Sequence, residues 1–220
     1  MNNPTVHTAR DTHAIEVNKV LRNTYTLLAM TLAFSAAMAA VSGMLNLPRP
    51  GIILMLAGFY GLLFAIHKTA NSAMGLVFTF ALTGFMGYTI GPVLNYLVQS
   101  GGSDIVMLAM GGTALIFFSL SGYILTTKKD MSFLGGMMVA GFVVIIVAFV
   151  ANLFLNLPAL HLALSAIFIL FSAGAILMQT SAIVNGGERN YILATVTLFV
   201  SLYNIFISLI NLLSAFTGDD

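Results

Sequence analysis

A chain of 220 residues that is 59 % hydrophobic and only 7 % charged carries too little charge to coat a water-facing domain. Ordinary soluble domains have roughly 25 % charged residues, so a soluble globular enzyme, a disordered regulator and a nucleic-acid binder are all excluded. The net charge of +1 offers no basic field for a polyanion, and the lack of cysteine removes disulfides, thiolate catalysis and cysteine-based metal sites. With a mean hydropathy of +1.00, the composition is that of a polytopic membrane protein.

A helical span needs about 20 apolar residues to cross ~30 Å of hydrocarbon. Seven segments qualify in chain order: Tyr25–Leu45, Gly51–Ile66, Ser72–Val98, Asp104–Leu125, Phe133–Leu155, Pro158–Ile183 and Tyr191–Phe216. The breaks fall at Pro48-Arg49-Pro50, His67-Lys68, Gly101-Gly102, Lys128-Lys129-Asp130, Asn156-Leu157-Pro158 and Gly186-Gly187-Glu188-Arg189. Such short connections predict antiparallel neighbours. The long continuous apolar runs do not have the ~10-residue alternation of an outer-membrane β-barrel.

The second segment has only about sixteen apolar residues and could be re-entrant. The cations decide. With seven spans and the N-terminus inside, Arg10, Lys19, Arg22, Lys68, Lys128, Lys129 and Arg189 lie inside and only Arg49 outside. Without the second crossing, three cations stay inside against five outside. Since the Lys/Arg bias sets orientation, seven spans are expected, with Asp219-Asp220 on the outer side. Residues 1–23 are expected to form a disordered cytoplasmic tail, 24–217 the transmembrane domain and 218–220 a short outer end. Ala37-Met38-Ala39 offers signal-peptide spacing, but a polar lead of about 24 residues with Asp11 and Glu16 stands against cleavage.

Polar side chains inside spans should face protein or enclosed water. Thr197, Ser201, Asn204, Ser208 and Asn211 form one stripe of the seventh helix, at offsets of 0, 4, 7, 11 and 14. The sixth helix answers with Ser165, Ser172 and Gln179, two heptad steps. Interhelical hydrogen bonding is the preferred reading, at ~0.6–2 kcal/mol per bond. A hydrated ion path is the other, disfavoured because the membrane interior holds almost no ionisable group. Asp104 belongs at a helix start, facing the positive end of the helix dipole, and His161 near an interface. Lys68, Asp130 and Glu188 are expected in loops. Gly84, Gly87 and Gly91 precede Pro92 in the third span and favour close helix packing over a hinge. The same two readings apply to Gly111-Gly112 and Gly135-Gly136. Leu45-Asn46-Leu47-Pro48 and Leu155-Asn156-Leu157-Pro158 make a faint repeat, too thin to argue duplication.

Catalytic patterns fail. There is no G-x-S-x-G, HExxH, Walker A or dinucleotide glycine pattern, no acid inside a span for two-aspartate proteolysis, and no lysine in the last span for a retinal. His161 and Ser165 lie one turn apart, a pairing that chance supplies without an oriented third group. Neither an enzyme nor a cofactor is expected.

Three stretches resemble the Bax inhibitor family of seven-helix proteins. They are Gly84-Phe85-Met86-Gly87-Tyr88-Thr89-Ile90-Gly91-Pro92, Thr126-Thr127-Lys128-Lys129-Asp130-Met131-Ser132-Phe133-Leu134-Gly135-Gly136 and Leu202-Tyr203-Asn204-Ile205-Phe206-Ile207-Ser208-Leu209. Lys19-Val20-Leu21-Arg22-Asn23-Thr24-Tyr25, Gly111-Gly112-Thr113-Ala114-Leu115 and Leu157-Pro158-Ala159-Leu160-His161-Leu162-Ala163 are similar to an inner-membrane branch of that family in γ-proteobacteria. The resemblance covers essentially everything after Lys19. It implies an all-α bundle with a central last helix wrapped by the other six, a bacterial inner membrane with a periplasmic C-terminus, and binding to the FtsH protease and its HflK–HflC regulators. It further implies a slow FtsH substrate that restrains the protease.

Some family members carry two acids as a proton-sensitive latch over a calcium leak path. Those positions fall on Gln179 and Ser201, with Asn204 and Ser208 further along the same candidate path, and neither Gln179 nor Ser201 can ionise to open by charge repulsion. The polar N-terminal stretch, with Asn2, Asn3, Thr5, His7 and Arg10, is the expected handle for an unfoldase. Behind it stand seven spans, each costly to pull into water at ~0.8 kcal/mol per CH₂. Self-association stays open.

Overall fold

The computed structural model describes residues 4–217, with side chains from Ile15 onward. Among the described residues the chain forms seven α-helices and no strand: α1 (Pro4–Met44), α2 (Ile52–Thr69), α3 (Ala73–Gln99), α4 (Ser103–Thr127), α5 (Leu134–Leu155), α6 (Pro158–Val184) and α7 (Tyr191–Thr217). All seven are long and apolar enough to cross a membrane. In hydrocarbon the backbone must satisfy its own hydrogen bonds, so apolar runs of this length become helices whatever their propensity. α2, the doubtful segment, is a full helix of 18 residues.

The start of the first helix, expected at Tyr25, is the main departure. Residues 4–23 continue the first span as helix, so α1 is 41 residues long. No glycine or proline lies between Pro4 and Gly43. Once the span has nucleated a helix, each further residue extends it at little cost.

Helix ends follow local chemistry. Asn46 and Asn156 adopt left-handed φ values of 48° and 47° just past α1 and α5. Each is followed by Leu-Pro, a common way to stop a helix. The Leu-Asn-Leu-Pro repeat is thus a stop signal used twice. At the start of α7, Asn190 Oδ1 accepts from the amides of Ile192 (2.9 Å) and Leu193 (3.2 Å). Its Nδ2 donates to the Ala70 carbonyl (3.0 Å) and Asn71 Oδ1 (2.9 Å), tying the α6–α7 turn to the α2–α3 turn.

α7 is central. Within its most apolar 18 residues 56 % are buried, against 6 % for α2 and α5. Its neighbours are α1, α3, α4 and α6, while α2 packs on α3 and α5 on α6. The last helix is therefore enclosed by four helices rather than six, with α2 and α5 forming a second layer. The core around it contains Leu27, Leu28, Leu82, Met86, Phe117, Ile176, Val196, Leu198, Phe199, Leu202 and Ile205.

The α1–α3 contact is backbone against backbone. A Cβ on Gly87 would collide with the Ser35 carbonyl, and one on Gly91 with the Ala39 carbonyl. Gly43 returns the fit, since its Cβ would sit 2.8 Å from the Gly91 carbonyl oxygen. The third-span glycines serve close approach, as small-residue interfaces in membranes do. Pro92 sits inside α3 without breaking it. It has no N–H to give the carbonyl four residues back, Tyr88, and Ser42 Oγ of α1 donates there instead, at 2.7 Å.

Candidate functional site: the α6–α7 seam and the cleft beside α7

Gln179, Ser201 and Ser208 lie on the two helices expected to carry the polar seam, and Ser201 and Ser208 are 5 % and 4 % exposed. The seam is not continuous. Ser201 Oγ donates to the Thr197 carbonyl (2.8 Å) within its own helix, and Thr197 Oγ1 to the Leu193 carbonyl (3.1 Å). Gln179 Nε2 and Ser172 Oγ are buried with no partner. One bond crosses between the stripes: Asn211 Nδ2 donates to Ser165 Oγ at 3.5 Å, a long contact. Hydroxyls on a helix reach the carbonyl one turn back more readily than a neighbouring helix, so a stripe in sequence need not become a bridge in space. Asn204 is half-buried on the same helix.

The handle residues divide between two descriptions. Asn2 and Asn3 lie outside the described residues. Thr5, His7 and Arg10 belong to the first turns of α1, where the backbone alone is described.

Ser165 Oγ donates to the main-chain carbonyl of His161 (3.1 Å), not to its imidazole, and the ring is exposed. That pair has no nucleophile–base geometry. Asp104 stands in the first turn of α4, as expected. Among the described residues no three His, Cys, Asp or Glu side chains converge, so the interior offers hydroxyls and amides.

Several polar links escaped the sequence reading. Besides Ser42 to Tyr88, Tyr203 of α7 donates to the Met86 carbonyl (3.2 Å) and lies 3.2 Å from Thr89 Oγ1, joining α7 to α3. Ser181 Oγ donates to the Lys129 carbonyl (3.0 Å) and accepts from the Met131 amide (2.9 Å), pinning the α4–α5 turn against α6. A signal existed for the first of these. A proline inside a span frees the carbonyl four residues earlier, so Pro92 marks Tyr88 from sequence alone. Which hydroxyl fills it depends on how α1 is rotated.

A separate cavity opens on the other side of α7. A cleft of about 720 Å³ runs between α1 and α3 on one side and α4 on the other, with Phe199, Leu202, Tyr203 and Phe206 of α7 as its floor. Gln179, Ser201, Asn204 and Ser208 do not line it. A smaller cavity of about 500 Å³ sits where the α2–α3 and α6–α7 turns meet, beside Asn71, Arg189 and Asn190.

Residues 17–218 match the family model described as inhibitor of apoptosis-promoting Bax1. The chain is 58 % identical over 208 residues to the modulator of FtsH protease YccA of Escherichia coli K12, covering 94 % of this chain and 95 % of that one. The same identity and coverage hold for the inner membrane protein YccA of E. coli O6:H1. A membrane protein of Vibrio cholerae is 40 % identical over 208 residues, covering 94 % of this chain and 93 % of the other. None of these three relatives is named as an enzyme. With its seven apolar helices, buried last helix and end-to-end match, the chain belongs to the Bax1 inhibitor family of integral membrane proteins.

Proposed function

We propose that this protein is a non-enzymatic, multi-pass protein of the bacterial inner membrane. In this reading it binds FtsH together with HflK–HflC, restrains proteolysis of other membrane proteins, and is itself a slow substrate. The observation that carries the reading is the 58 % identity, over 94 % of the chain, to a protein named as an FtsH modulator. The cation split, with only Arg49 on the outer side, supports a cytoplasmic N-terminus and a periplasmic C-terminus.

Residues 1–23 act as the handle in this proposal. Glu16, Asn18, Lys19 and Arg22 are exposed on α1. A short polar helical extension is marginal in water on its own, so an unfoldase could melt it at little cost. The pull then meets α1 where its backbone is locked against α3, and behind it six more apolar helices. An easy grip followed by a hard extraction occupies the protease. The test is reconstitution with FtsH in liposomes. Deleting residues 2–18 should slow degradation of this protein and relieve its inhibition of a second membrane substrate. Unchanged turnover would overturn the handle.

A second reading, a cation leak past Gln179, Ser201, Asn204 and Ser208, has one feature in its favour, the unpartnered amide of Gln179. Neither Gln179 nor Ser201 ionises, so any such leak should be independent of pH. Liposome flux that survives replacing all four by apolar residues would remove this path.

A further inference from the structure

We propose that the cleft between α1–α3 and α4 is a lipid site, holding one acyl chain of a phospholipid from the leaflet on the side of the α3–α4 turn. The inference stands apart from the protease reading and rests on the shape and chemistry of the cleft.

The cleft exists because α4 touches α7, and α3 slightly, but does not close on α1. Its mouth faces sideways, between Leu32, Ala36 and Ala40 of α1 and Met110, Ala114 and Phe118 of α4, all exposed. These residues lie within candidate membrane spans, so the phase at the mouth is hydrocarbon, not water. Three polar groups on the walls are turned to protein partners, while the buried Tyr25 hydroxyl has none. Thr113 Oγ1 donates to the Ala109 carbonyl (2.7 Å), Tyr203 to the Met86 carbonyl (3.2 Å), and Asn95 Nδ2 to Asn46 Oδ1 (3.2 Å). A cleft with so little free hydrogen-bonding capacity disfavours water and ions and takes apolar matter.

Size selects the occupant. Along α4 the wall runs from Val106 to Phe118, about 18 Å at the helical rise, close to the ~15 Å half-thickness of a bilayer core. That is the depth reached by one chain of one leaflet. The wall on α1 is longer, from Tyr25 to Met44, about 28 Å. The cleft holds about 720 Å³, within the range that encloses a single small apolar ligand. Asn95 lines the cleft near the end of α3 and bonds Asn46 just past α1.

The test uses the full chain in phosphatidylethanolamine vesicles carrying a trace of phosphatidylcholine with a diazirine on one acyl chain. After irradiation, adducts are mapped by peptide mass spectrometry. Bulk lipid labels the outer faces of α2 and α5. Only a chain in the cleft labels Leu202 and Phe206 on the floor, where Leu202 is 5 % exposed. Floor adducts are expected, and Ala36→Phe or Ala114→Phe, one on each wall, should each cut them about tenfold while α5 labelling stays unchanged. The wild-type map decides even if one variant fails to fold. Labelling on α2 and α5 without any on the floor would overturn the site, as would floor labelling that both bulky variants leave intact. Purified protein that yields a stoichiometric isoprenoid quinone and no phospholipid would overturn the acyl-chain assignment.

Discussion

α1 meets two neighbours with opposite results. Toward α3 it presents Ser35, Ala39, Ser42 and Gly43, and the helices close until backbone touches backbone. Toward α4 it presents Ala29, Leu32, Ala36 and Ala40, mostly small as well, and a 720 Å³ cleft stays open. The difference lies in the facing helix. α3 offers Gly87 and Gly91, whereas α4 offers mainly bulkier residues, Val106, Met110, Phe117 and Phe118, beside the single small Ala114. A small residue permits contact only when its counterpart is also small. On the closed side even the proline defect is repaired, by Ser42 on the Tyr88 carbonyl.

Three substitutions sharpen that contrast. Gly87→Leu should have the largest effect. Its side chain enters the Ser35 backbone, which cannot yield as a flexible side-chain tip would, and overpacking of this kind costs ~1–3 kcal/mol or more. Unfolding in detergent micelles should show the loss, whereas Ala36→Leu on the open side should leave stability nearly unchanged. Equal losses at both positions would erase the distinction between the two faces. Next comes Ser42→Ala, which strands the Tyr88 carbonyl beside Pro92 at about 1–3 kcal/mol. A Ser42→Thr variant that keeps the hydroxyl should recover most of it. The smallest effect is expected at Gln179→Met. Its Nε2 has no partner, so replacing the amide by an apolar chain of similar length should be neutral or slightly stabilising. A loss above about 1 kcal/mol would mean that the amide is held by ordered water or an ion.

Much of the bundle was legible in the residues. The helix boundaries other than the start of α1 fall within about three residues of those read from prolines, glycine pairs and charges. Asp104 and the glycines of α3 took the roles their chemistry suggested. The start of α1 was not legible, because an uninterrupted stretch without glycine or proline gives no local signal for where a helix already begun should stop. The candidate site was legible only as a list of polar positions. Thr197, Ser201 and Asn211 share a periodicity, yet only Asn211 reaches across to another helix, because the other two hydroxyls were already claimed by carbonyls one turn behind.

By itself the amino-acid sequence determined the number of helices, their ends and their membrane character. A bilayer permits only self-satisfied backbone across ~30 Å, and apolar length enforces that locally. The tertiary structure alone decided that four helices enclose α7, that Ser42 answers Pro92, that the α6–α7 seam is joined at one point, and that α4 stands off from α1. Those outcomes depend on how each cylinder is rotated and shifted against its neighbours. That is a sum over many weak contacts, and no single segment carries it.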